Sequence, residues 1–291
     1  MSDLAVVNPT VSTSLLARRP LTWFFLIAFG MSWLLWAPVQ LAKNRAGLLP
    51  YEVSAETSDL ITLAGVLAGP TLAAFLMTAV TEGRPGIARL LRRCVAWRIH
   101  PGWYVLALLG IPALIVLGTA AVSGVWPGPQ LLSPSFLLSY AIAFVIMVVL
   151  GGPLLEEPGW RGFAFPRMQQ RFGPLAGSAL LGALWGLWHL PLFLDPSWDT
   201  PHDDVGDVAL FVASAVAATV IMAWMWNRTG ASLVGVILMH GSINTFTASL
   251  TQIYPAEAVT NSLLNVVLGF GAAALVVIAA TRGRLGNPPR R

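Results

Sequence analysis

Charge is what this chain has least of. Only 10% of its 291 residues are Asp, Glu, Lys or Arg, where a soluble globular domain carries about 25%. So few ionic groups cannot coat a water-facing surface, which excludes a soluble enzyme and a charge-rich disordered chain. Cysteine is almost missing as well. Cys94 stands alone, so no internal disulfide forms and a disulfide-built secreted scaffold is excluded. The sequence has no HExxH, no GxGD, no low-complexity tract and no repeat of 20 to 50 residues, which removes the helix-borne zinc motif and the solenoid architectures.

What fills the chain is apolar: 56% of residues are hydrophobic and the mean hydropathy is +0.72. A membrane-spanning helix needs roughly 17 to 25 apolar residues, and such windows fall at 22–42, 60–81, 102–123, 136–158, 174–194, 207–227, 231–250 and 262–281. The expected fold is therefore all-α, a polytopic membrane protein with eight transmembrane helices around a buried polar cavity. Residues 22–281 form one membrane domain, with 1–21 as an N-terminal tail and 282–291 as a basic C-terminal tail. The lipid bilayer is the first partner. The first span is too long for a signal-peptide core and lacks a small-residue cleavage site after it, so it is expected to stay in the chain.

The net charge of +4 and pI of about 9.8 would suggest nucleic acid in a soluble protein. Here the distribution of basic residues explains them, and no nucleic-acid partner is expected. Lys and Arg are retained on the cytoplasmic side of membranes. With an inside N-terminus and eight spans, cytoplasmic segments collect Arg18 and Arg19, then five arginines from Arg84 to Arg98. Arg161, Arg167 and Arg171 come next, then Arg228, and finally four from Arg282 to Arg291, making 15 of the 17 basic residues. Lys43 and Arg45 alone fall outside, among Glu52, Glu56, Asp59, Asp195, Asp199, Asp203, Asp204, Asp207 and Glu257. The expected location is an integral membrane protein, in a bacterial plasma membrane, with both termini cytoplasmic. Within this pattern, "IARLLRRCVAWRI" places Ile87, Leu90, Leu91 and Cys94 opposite Arg89, Arg92 and Arg93, the signature of a helix on anionic headgroups or of an ordinary positive-inside loop. The external stretch 195–206 reads as a solvated acidic loop.

Ionisable groups inside spans are costly and mark functional cavities. Glu156 and Glu157 lie at the inner end of the fourth span, His189 in the fifth and His240 in the seventh; Asn244 follows His240 by four residues and shares its helical face. Arg161 follows Glu157 by four, the favoured ion-pair orientation on a helix. Each residue alone has a structural reading as helix-helix glue or a solvated span end; their convergence is what suggests a site. Depth strains that convergence. At about 1.5 Å per residue, Glu156 sits within roughly 10 Å of the inner face, His240 roughly 14 Å and His189 roughly 22 Å from it. A kinked or inset fourth helix, broken at Gly151, Gly152 and Pro153, is therefore expected.

Glu, His and Asn without a matched nucleophile suit activation of water for attack on a carbonyl, with a carboxylate as general base and donors holding the developing oxyanion. Ser242 and Cys94 do not form a credible nucleophile with either imidazole. Two His and a Glu also make a possible zinc site, Glu156, His189 and His240, with an open position for water.

The motifs "EEPGWR", "WGLWH" and "HGSIN" closely resemble, in order and spacing, the EExxxR, FxxxH and HxxxN motifs of the CAAX protease and bacteriocin-processing family. The resemblance extends over about 134–250, with Trp185 where the second motif commonly has Phe, a change expected to affect packing more than chemistry. It implies an intramembrane endopeptidase fold of eight spans, related to the prenyl-protein endopeptidases, with the site facing the cytosolic half. In that reading Glu156 and His189 activate water, His240 and Asn244 form the oxyanion site, and Glu157 with Arg161 supports them. It also implies a peptide or membrane-protein substrate, with or without a lipid, and a metal-free mechanism in preference to zinc. The alternative is a non-proteolytic carrier, or an immunity or scaffold protein, that keeps the polar cluster for structure.

Overall fold

The computed structural model describes residues 15–196, 198, 200 and 204–288; most of the N-terminal tail, the last three residues, and Asp199, His202 and Asp203 of the acidic loop lie outside this set. All regular structure among the described residues is helical. The main helices are α1 (Pro20–Gln40), α2 (Ala55–Cys94), α3 (Pro101–Ser123), α4 (Pro134–Phe172), α5 (Pro174–Trp188), α6 (Val205–Arg228), α7 (Val234–Ala248) and α8 (Ser262–Thr281). Seven are long and apolar enough to cross a membrane, α5 once it is taken with the 3₁₀ turn that continues it to Leu194.

The exception is α7, which is only 15 residues long where a span over 231–250 was expected. Gly230 and Ala231, both at positive φ, lead into it. Its buried residues include His240, Gly241 and Ser242, so it is largely sheathed by other helices and need not match the full apolar thickness of a bilayer.

The fourth helix is broken where its sequence indicates. The limb Pro134–Leu150 ends at Gly151, Gly152 takes φ 108°, and Pro153 opens a new helix. Pro suits the first turn, where its missing N–H has no partner to lose, and the positive φ of Gly152 disfavours any residue with a side chain. The limb beyond the break widens into a π-type turn at Pro158–Ala164, a feature frequent at functional sites. Residues 134–150 are mostly exposed and apolar, whereas 156–165 are all buried.

Small residues allow the helices behind the site to approach closely. In α5, Gly182 and Gly186 face α6: a Cβ on Gly182 would stand 2.6 Å from Val216 Cα, and one on Gly186 3.0 Å from Val212 Cα. This small-xxx-small stripe therefore serves packing within the chain. Helix α2 bends at Gly83, φ 62°, into an arginine-bearing limb that keeps Leu90 buried and Arg89 and Arg92 exposed. Leu91, expected on the apolar face, is exposed, and Cys94 ends this helix, not a loop. Arg161 departs from the charge-sorting pattern: it is fully buried inside the bundle.

Candidate active site

Two adjacent carboxylates on the inner limb of α4 are handled differently. Glu157 is completely buried. Its Oε1 accepts from Arg161 at 2.9 Å and meets His240 Nδ1 at 2.8 Å. Arg161 donates its other terminal nitrogen to Thr219 Oγ1 on α6 at 2.8 Å and lies 4.2 Å from the ring centroid of Trp185. The i,i+4 pair read from the sequence is present, and it is tied to α6 and α7 as well.

Glu156 makes no salt bridge among the described residues. Its Oε2 accepts from two indoles, Trp185 Nε1 at 2.8 Å and Trp160 Nε1 at 3.2 Å. Trp160 is one helical turn beyond Glu156 and is fixed by ring contacts with Phe24 of α1 and Trp188 of α5. Trp185 corrects the expectation of a packing role. An indole at this position carries an N–H that phenylalanine lacks, and it is spent on the carboxylate. Trp160 and Thr219 were not singled out in the sequence; the i+4 spacing of Trp160 from Glu156 was the available signal for the former, and nothing local marked the latter.

His189 ends α5, where the helix tightens into the 3₁₀ turn Leu190–Leu194. Its Nδ1 lies 2.8 Å from the Trp185 carbonyl. A carbonyl can only accept, so Nδ1 carries the proton and Nε2 is left uncommitted. The same logic holds for His240 against an ionised Glu157. The His189 ring is enclosed by Trp188, Trp198 and Phe211, with centroids 4.8, 6.2 and 5.1 Å away. Asn244, one turn beyond His240, makes no side-chain hydrogen bond among the described residues.

Glu156, His189, His240 and Asn244 all line one cavity of about 470 Å³. The break at Gly151 and Gly152, which also line it, resolves the depth mismatch by setting Glu156 into the bundle. The rest of the wall is largely apolar, including Met147, Leu150, Leu263 and Phe270. Among the described residues no three His, Cys, Asp or Glu side chains converge as a metal-binding group, and Glu156 Oε2 is already taken by two indole donors.

Fold and cavity together define a polytopic helical membrane protein with a carboxylate, two imidazoles and a carboxamide around an internal chamber. Residues 136–246, the segment that holds all three motifs, match the family model described as type II CAAX prenyl endopeptidase Rce1-like. The chain is also 31% identical over 115 residues to CAAX prenyl protease 2 of Methanococcus maripaludis. That alignment spans 38% of this chain and 42% of the relative, well under half of the curated protein it matches.

Proposed function

We propose that the protein is an intramembrane endopeptidase in which Glu156 is the general base. The observation that carries this reading is the shared cavity: Glu156, His189, His240 and Asn244 all line it, within the segment that matches the Rce1-like family model. Both indole donors fall on Oε2 of Glu156, leaving Oε1 to take a proton from water. His189, with Nδ1–H given to the Trp185 carbonyl, accepts from the same water through Nε2 and orients it. The resulting hydroxide adds to the peptide carbonyl carbon. Asn244 donates its amide N–H to the oxyanion, and His240, held through Nδ1 by Glu157, completes the oxyanion site on the same helical face. Glu156 then returns the proton to the departing nitrogen, the C–N bond breaks, and a carboxylic acid and an amine are released, the acid's remaining proton passing to the amine to give a carboxylate and an ammonium.

No step in this route needs a metal. The substrate is a peptide or a segment of a membrane protein; if lipidated, it has apolar wall at Met147, Leu150 and Phe270 to lay its tail against. The protein resides in a bacterial plasma membrane with both termini in the cytoplasm.

The test is hydrolysis of a quenched-fluorescent peptide library by the purified protein in lipid nanodiscs. Glu156→Gln and His189→Ala are each expected to lower the rate by about 10²- to 10⁴-fold without loss of the folded state. Full activity in Glu156→Gln removes the base and favours the carrier or scaffold reading; loss on chelation, restored by zinc, transfers the site to a metal mechanism.

A further inference from the structure

The cavity wall extends to one end of the bundle. It includes Asp59, Thr62, Trp198, Thr200, Ser262 and Leu263. These lie at the start of α2, in the loop after α5 and at the start of α8. All three places are at the end of the bundle that carries the acidic loops. Among the described residues no arginine lines the cavity, and the arginine-bearing limb of α2, the end of α4 and the α6–α7 turn all lie at the other end.

The acid-rimmed end is also unbalanced in charge. Its two basic residues are both occupied: Lys43 pairs with Glu52 at 3.6 Å, and Arg45 pairs with Asp195 at 3.2 Å, where Ser58 also donates at 3.0 Å. Glu56, Asp59, Asp204 and Glu257 remain exposed there, and Asp59 stands on the cavity wall itself. A cleft with low-dielectric walls and a rim of one sign concentrates ligands of the other sign.

We propose, building on the peptidase reading, that the peptide enters from this acid-rimmed end and that segments carrying Lys or Arg beside the scissile bond are preferred. The positive-inside distribution of the arginines places that end outside the cytoplasm. The substrate is then a cationic peptide segment met after export, not a cytosolic protein tail.

Two measurements on the full chain test this without requiring hydrolysis. In a Cys94→Ser background, Asp59→Cys is expected to react with a membrane-impermeant maleimide in intact cells, and Arg89→Cys only in inverted vesicles; the reverse pattern overturns the assignment of the entrance. In nanodiscs, the Glu156→Gln protein is titrated with a fluorescent peptide flanked by lysines and with the same peptide flanked by glutamates. The lysine form is expected to bind about tenfold tighter at low ionic strength, with the difference collapsing in about 0.5 M salt and in Asp59→Lys. Equal affinity, or a preference for the acidic peptide, overturns the charge selection. Lack of hydrolysis in the wild type, with both results as expected, would instead defeat the peptidase reading and leave a peptide-binding cavity.

Discussion

Glu156 and Glu157 are joined by one peptide bond yet belong to two different regions of the molecule. Glu157 lies in a packed polar core where Arg161, Thr219 and His240 meet from three helices, and both members of its ion pair are fully buried. Glu156 lies on the wall of a cavity, held by two indoles and with no salt bridge among the described residues. In the first region the charged groups are paired with one another; in the second the carboxylate is held by neutral indole donors. A buried charge is expensive unless it is paired, so the packed core is where loss of a partner should be felt as stability. The cavity wall is where it should be felt as rate.

The largest effect that would separate the two regions is expected from Arg161→Met. It strands Glu157 as an uncompensated buried charge and should cost about 3 to 5 kcal/mol, measured by denaturant titration in detergent. Glu156→Gln is expected to stay within about 1 kcal/mol of wild type in the same assay. Equal destabilisation by the two would erase the distinction.

Trp185→Phe gives the next largest effect and sharpens the cavity side. The ring under Arg161 remains, but the N–H to Glu156 is gone; a hydrogen bond to a charged group is worth about 1.5 to 3 kcal/mol. The expected result is a fall of about tenfold or more in kcat/KM for a peptide substrate, with an altered pH–rate profile as the sign that the carboxylate itself is affected. An unchanged profile and rate would reduce Trp185 to a packing residue.

The smallest effect is expected from Thr219→Val, which removes one acceptor from Arg161 while keeping its shape. Stability should fall by about 1 kcal/mol and hydrolysis by less than about twofold, since the Glu157–His240 contact survives. A large loss of rate would show that the packed core sets the position of His240 more finely than the two-region picture allows.

Much of this arrangement was legible along the chain. The run of apolar windows, the sorted arginines and the break at Gly151–Pro153 are local or periodic signals, and each was readable because a bilayer imposes length, charge and backbone rules directly on sequence. The motif residues were legible because ionisable groups are so scarce in the spans that each one stands out. Trp185 and Arg161 were misread in part, as a packing substitution and as one of the charges sorted to the cytoplasmic face. Whether an indole finds a carboxylate, or an arginine turns inward, depends on the neighbour that faces it. Thr219, 58 residues from Arg161, carried no local mark at all.

Sequence by itself determined that this is a helical membrane protein, where its fourth helix breaks, and which ionisable residues are embedded, because the cost of charge and of bare backbone in hydrocarbon is paid residue by residue. Only the tertiary structure decided which glutamate is ion-paired and which is held by indoles, and which residues line the cavity, because those outcomes depend on distances between side chains brought together by helix tilt, a break at Gly151–Gly152 and close packing at glycine.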